Sequence, residues 1–321
     1  IGEVSQLFTV TWGLWLVCQQ RGQLKQAQDL ADEALALAKQ QPDPALLLQA
    51  HHAVWTNLFR LPDLPACREH LDQGLALYNL DEHGSHAFVY GGHDPGVCCL
   101  NHSALTLWFL GYPDQARDMA RKAMALAETL SHPFSLVLAL SFSGFLRQYR
   151  RQAGPAREHA EATLALCAER GIAPQFAAAA KALRGWAVAD QGQTDEGIAD
   201  IQEGLRALRA TGTEQRKSYL LALLAEAHGK AGQAGRGLVE LAEALESAEQ
   251  SGERTWEAEL HRLRGELLLS QSADNQRQAE ACFSQALAVA RKQSVKALEL
   301  RAATSFAGLL QSQGKSKQAR E

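Results

Sequence analysis

A residue phase that recurs at a nearly fixed interval constrains this chain more than any other feature. An apolar helical run ends, a Gly follows, and a second helical run begins a few polar residues later, at Gly22, Gly111, Gly192, Gly232 and Gly314. Pro62 and Arg151 hold the same phase in weaker copies, and another copy near position 274 carries about two extra residues. Successive spacings are 40, 49, 40, 41 and 40, then 82 across two copies. A period of roughly 20 to 50 residues marks stacked supersecondary units, each of which buries its apolar face only against its neighbours. The chain therefore reads as eight units of about 40 residues, over 1–41, 42–80, 93–131, 132–172, 173–213, 214–253, 254–294 and a truncated 295–321, with a longer loop at 79–92.

Each unit has the grammar of two packed helices. The marker Gly ends the first helix, where a left-handed residue without a Cβ is least strained. Five residues later stands a small residue, such as Ala27, Ala116, Ala156, Gly197 or Gly237. Seven further on another recurs (Ala34, Gly74, Ala123, Gly204, Ala244), followed by Leu or Met. Those offsets share one helix face, and small side chains there let the second helix approach the first closely. Pro44, Pro95, Pro133 and Pro174 open first helices, where the missing N–H would have had no partner.

Composition excludes several classes. The 321 residues carry 32 Lys and Arg against 36 Asp and Glu, a formal charge of −4, with the two signs interleaved. No broad basic surface is implied, so nucleic acid is not an expected partner. No run reaches the roughly 18 apolar residues that span a bilayer, so no membrane partner is expected either. The 6 Cys are scattered without a C-x-x-C pair, as in a reduced, cytoplasmic protein. The chain begins at Ile1 inside an apolar run and stops at Glu321 inside a helical pattern, which leads us to expect a piece of a longer protein.

The repeat grammar resembles the tetratricopeptide repeat over essentially the whole chain, with a period near 40 residues rather than the standard 34. The resemblance implies an all-α fold, a right-handed superhelical solenoid of about eight TPR-like helix pairs. Three longer phrases carry a closer resemblance: 92–140 (GHDPGVCCLNHSALTLWFLGYPDQARDMARKAMALAETLSHPFSLVLAL), 183–214 (LRGWAVADQGQTDEGIADIQEGLRALRATGTE) and 219–269. They resemble the C-terminal repeat arm of a bacterial family in which a class III adenylate/guanylate cyclase domain precedes an AAA/STAND-type ATPase. No catalysis is carried over. The chain has no G-x-x-x-x-G-K-[ST] phosphate loop and no cyclase metal-carboxylate motif, so this region is expected to be non-catalytic and to need no cofactor.

By the same resemblance, the first helix of each pair lines the concave binding face. Counting from the Gly phase places Trp12 and Gln19 there in the first unit, and His52, Thr56, Phe59 and Arg60 in the second. Asn101, Leu105 and Trp108 follow in the third, Ser141, Phe145 and Tyr149 in the fourth, and Trp186 in the fifth. Aromatics mixed with small polar groups suit a protein or peptide, or a small ligand. The same aromatics at helical spacing also read as core.

One stretch invites a second reading. "YGGHDPGVCC" (90–99) follows a loop rich in Gly and His. Asp94-Pro95 reads as a helix cap and first turn, the device already present at Asp43-Pro44. His83, His86, His93, Cys98 and His102 form a candidate zinc or nickel set, although their spacing matches no established motif. The alternative is a solvated loop folded over the groove. Three functions stay open on sequence grounds. The first is an arm that senses a ligand or partner and biases upstream domains of the same chain. The second is an adaptor without switching, and the third is an enzyme built on the His/Cys/Asp cluster.

Overall fold

The computed structural model describes residues 3–41, 43–315 and 317–319. Ile1 and Glu321 lie outside the described residues. The described residues form sixteen α-helices and no strand, each long helix packed on the next long helix along the chain. The pairs are α1 (Glu3–Gln20) with α2 (Leu24–Ala38) and α3 (Pro44–Arg60) with α4 (Leu64–Leu77). A short α5 (Leu80–His83) and a 3-10 turn (Gly84–Phe88) form the insertion. Then come α6 (Pro95–Phe109) with α7 (Pro113–Leu130), α8 (Pro133–Tyr149) with α9 (Ala153–Arg170), and α10 (Pro174–Asp190) with α11 (Thr194–Ala210). The last elements are α12 (Lys217–Lys230) with α13 (Ala234–Ser251), α14 (Glu257–Gln271) with α15 (Gln276–Lys292), and α16 (Lys296–Ser312). The fold is the all-α helical solenoid that the repeat implies.

Local chemistry explains the helix ends. All five marker glycines are left-handed, with φ between 71 and 96°, and Arg151 takes the same conformation at φ 58° despite its Cβ. The four prolines are the first residues of α3, α6, α8 and α10. Asp94 caps α6: its Oδ1 accepts the Val97 N–H at 2.9 Å, and its Oδ2 accepts the Tyr78 hydroxyl at 3.0 Å. The Asp-Pro of "HDPG" is thus a helix start.

Small residues set the helix spacing. A Cβ on Gly185 of α10 would lie 2.5 Å from the Gly197 carbonyl oxygen of α11, and a Cβ on Gly197 would lie 2.5 Å from that of Gly185. The two backbones touch there, which only a glycine pair permits.

The superhelix closes on itself. The last carbonyls of a helix have no partner within it. At the ends of α1 and α3 those groups are met by loops almost 200 residues away in sequence. The Glu214 N–H donates to the Gln20 carbonyl at 2.9 Å, and the Thr213 hydroxyl donates to the same oxygen at 3.2 Å. One turn further, the Arg254 N–H donates to the Arg60 carbonyl at 3.1 Å and the Thr255 hydroxyl to the Phe59 carbonyl at 2.8 Å. A buried ion pair locks this seam: Arg60 Nε donates to Glu253 Oε1 at 2.9 Å, and both side chains are 7% exposed.

Candidate functional site

Closure turns the concave face of the first five units into a cavity. The inner faces of α1, α3, α6, α8 and α10 form its wall, and residues 213–216 close the ring against the end of α1. It holds about 130 Å³ of solvent space. An apolar cavity of about 150 Å³ takes a benzene ring, so the space admits a ring-sized group. Trp12, Trp15, Phe134, Phe142 and Phe176 supply aromatic wall.

Arg216 gives the cavity its charge. Its backbone is left-handed (φ 61°) at the start of α12, held by an N–H bond to Glu253 Oε2 at 3.1 Å. The guanidinium lies 4.8 Å from the Phe145 ring, 4.9 Å from Phe142 and 6.0 Å from Phe176. Among the described residues it meets no hydrogen-bond acceptor. The side chain sits deep in the protein yet keeps part of its surface open to the cavity. Burial pulls its pKa below the ordinary value, opposed by Tyr149 and Glu253. Unpaired burial of a charge costs several kcal/mol, and each cation–π contact returns about 0.5–2 kcal/mol. The deficit is what an anion would relieve.

Other polar atoms on the wall also lack partners: Trp15 Nε1, Gln19 Nε2 and Thr56 Oγ1. The Gln19 Oε1 is already taken by Arg60 Nη1 at 2.7 Å and Gln215 Nε2 at 3.1 Å, which fixes the amide. A cation on an aromatic wall suits an anion with an apolar body.

The opposite wall carries His52, His93, Cys98 and His102. Burial lowers the pKa of His52 well below the ordinary imidazole value, helped by the neighbouring His93 and His102. It lowers His93 to about 4 and His102 to about 3, against backbone bonds to Gly91 and Cys98 that oppose it. All three are neutral imidazoles at pH 7. Burial raises the Cys98 thiol, which therefore keeps its proton. His52, His93 and Cys98 place their donor atoms within 4.8 Å of one another.

The residues expected in the groove divide between cavity and interior. Trp12, His52 and Thr56 line the cavity, and Phe145 lies against Arg216. Asn101, Leu105 and Ser141 are buried elsewhere along the inner wall, and neither polar atom of the Asn101 amide has a partner. Trp108 and Tyr149 stand 5.2 Å apart in a stack that continues through Trp256 and Tyr219. Arg301 covers Trp108 at 5.1 Å and donates to the Tyr149 carbonyl. Trp186 is buried under Arg151 and Lys230, each 5.9 Å from its ring. Along this stretch the concave face is filled by the protein's own side chains.

The five residues of the candidate metal set divide too. His93, Cys98 and His102 come together at the cavity. His83 and His86 pack on each other, ring centroids 5.1 Å apart, outside the cavity lining: the His83 Nδ1 accepts the Asn79 N–H at 3.0 Å and the His86 Nδ1 meets Gln49 Nε2 at 2.9 Å. Arg216 and Trp15 are site residues that the repeat phase does not mark. The signal for Arg216 is junction length: 211–216 separates α11 from α12 by six residues, against two at 131–132 and three at 171–173.

No protein-family model matches the chain. An uncharacterized protein of Rhizobium meliloti (strain 1021), R02095, is 28% identical over 302 residues, 94% of this chain and 29% of that protein. The chain thus spans less than a third of the length of the curated relative it matches. Among solved structures, NprR in complex with its cognate peptide NprX is similar with a TM-score of 0.59 at 13% identity, covering 97% of this chain and 86% of that one. Aspartyl phosphate phosphatase F from Bacillus subtilis is similar at 0.55 and 12%, covering 100% and 92%. The apo form of RapI gives 0.55 and 12%, covering 83% and 94%. At these identities the likeness shows the fold alone.

Proposed function

We propose that this chain is the sensory arm of a larger bacterial signalling protein. An anionic ligand, either a peptide end or a small carboxylate, occupies the cavity and biases ATPase and nucleotide cyclase domains elsewhere in the same protein. The observation that carries the ligand reading is Arg216, a guanidinium on an aromatic wall that meets no acceptor among the described residues. The likeness to NprR, solved with a cognate peptide, supports a peptide as the source of the anion. The signalling context rests on the resemblance of three phrases to cyclase–ATPase arms, and the greater length of the Rhizobium relative leaves room for such domains.

Native mass spectrometry of the protein as isolated would show a copurified ligand directly. The probe for affinity is benzenesulfonate, which joins a single aromatic ring to an anion, with binding followed by calorimetry. It should bind once per chain to the wild type. A hydrogen bond to a charged group contributes about 1.5–3 kcal/mol, so Arg216→Gln should weaken it by about 10- to 100-fold. Folding should not suffer, because the variant removes an unpaired charge. Equal affinity in the two proteins would overturn the reading and leave a scaffold whose partners dock elsewhere.

A further inference from the structure

We propose that His52, His93 and Cys98 form a zinc site whose fourth position opens into the cavity. The three donors come from separate parts of the chain: α3, the segment before α6, and the first turn of α6. His52 Nε2 lies 3.4 Å from His93 Nε2 and 3.2 Å from Cys98 Sγ. Zinc binds nitrogen at about 2.0–2.1 Å and thiolate sulfur at about 2.3 Å, so tetrahedral donors stand about 3.3 Å (N to N) and about 3.5 Å (N to S) apart. These two separations fall within a few tenths of an ångström of those values, and the third, between His93 and Cys98, is no more than 4.8 Å.

The hydrogen bonds behind the donors favour a cation. His93 Nδ1 lies 3.0 Å from the Gly91 carbonyl, which only accepts, so Nδ1 carries the proton and Nε2 the lone pair. His52 Nδ1 lies 3.1 Å from Gln49 Oε1, while the Gln49 amide nitrogen faces His86 Nδ1. With the amide in that orientation, His52 also turns its Nε2 lone pair inward. Two lone pairs then face each other across 3.4 Å, beside a thiol. Metal-binding histidines show this pattern, with the second ring N–H held by a carbonyl acceptor.

His102 is not a fourth ligand. Its Nδ1 lies 3.0 Å from the Cys98 carbonyl, which fixes the proton there. The empty quadrant is the cavity, which all three donors line. A soft set of two imidazole nitrogens and one thiolate sulfur selects zinc over magnesium or calcium. On binding, the Cys98 S–H bond breaks, the sulfur forms the zinc bond and the proton leaves to solvent. The bound ion and thiolate together carry one positive charge. This inference does not depend on the anion reading, since zinc would bind with the cavity empty.

The test is titration of chelator-treated protein with cobalt(II), then displacement by zinc(II). The wild type should take up one cobalt with a thiolate charge-transfer band, and zinc should abolish the band. Loss of a second-shell partner alone weakens metal binding about 10- to 100-fold, so Cys98→Ser and His93→Gln should each exceed that. His83→Gln should leave affinity unchanged. X-ray absorption at the zinc edge of the wild type needs no variant and should read two imidazoles and one sulfur. Absence of the cobalt–thiolate band, or a zinc shell without sulfur, would overturn the proposal. The remaining arrangement would be a His52 Nε2–H shared between His93 and Cys98.

Discussion

Glu253→Gln tests whether the superhelix is held shut by one buried ion pair. The carboxylate accepts Arg60 Nε through Oε1 at 2.9 Å and the Arg216 backbone N–H through Oε2 at 3.1 Å. Glutamine keeps one carbonyl oxygen for Arg60. It turns its amide nitrogen toward the Arg216 N–H, donor against donor, and leaves the Arg60 charge buried without a counterion. Removing one partner of a buried pair costs about 3–5 kcal/mol. The Arg60 Nη1 bonds to the Gln19 carbonyl and side chain survive, so we take the lower end, about 3 kcal/mol, or roughly two decades in an equilibrium constant.

That loss should fall first on the seam, because seam contacts can open without unfolding the helix pairs. Hydrogen exchange read by mass spectrometry on peptides covering 211–217 and 252–257 should speed up by about 100-fold. The Glu214 and Arg254 amides, bonded to the Gln20 and Arg60 carbonyls, are the reporters. Peptides from α9 and α11 should keep their wild-type rates. Exchange at the two loops within twofold of wild type would refute the reasoning: the seam would then be held by backbone bonds and packing alone.

Three further outcomes follow from charge and packing. Glu259 is buried among Arg262, Arg301 and Arg151; burial alone would raise its carboxyl, but the three guanidinium charges and the Arg262 hydrogen bonds outweigh that and hold it well below the carboxylate range. A carboxyl with a depressed folded pKa gives stability that is present above about pH 4.5 and lost as pH falls toward the folded value, so Glu259→Gln should cost about 3–5 kcal/mol at pH 7 in urea unfolding and flatten the acid limb. Gly185→Ala would gain about 0.5–1 kcal/mol of helix propensity but must push the α11 backbone away, for a net loss of about 1–2 kcal/mol. Gly154→Ala in α9, with nothing within 4 Å of its Cβ, should instead raise the midpoint of thermal unfolding.

The phase of the repeat was legible because it is a local property. A helix commonly stops at a left-handed residue, and the sequence offers Gly at five such points; even Arg151, counted in only by its spacing, takes that conformation. Pro at a helix start is equally local, and all four prolines open their helices. Curvature is not local. It accumulates from small rotations between units, and no spacing of Gly or Ala reports how soon the array returns to its beginning. The pairs Arg60–Glu253 and Gln20–Thr213, each 193 residues apart, are therefore invisible to a period of 40. The same blindness hid His52 as a neighbour of Cys98, 46 residues on. It also hid the filling of the inner wall at Trp108 and Tyr149, since a stripe facing a lumen and a stripe facing a core have the same periodicity.

Closure and the cavity meet in one residue. The Arg216 side chain faces the cavity, while its backbone N–H is bonded to the carboxylate that locks the seam. An anion that grips the guanidinium therefore holds the 213–216 loop where Glu253 already holds it. Ligand binding and seam opening are then linked equilibria, and a ligand can shift the closed state only by its differential affinity for closed over open. Linkage is reciprocal, so loosening the seam weakens the ligand by the factor by which the ligand tightens the seam. An array whose units touch mainly their neighbours re-curves at low cost, and a seam between distant units adds an all-or-none contact to that gradual motion. On the proposed sensory reading that contact is the element the ligand would bias, and it lies within a few bonds of the one cavity-facing charge that lacks a partner among the described residues.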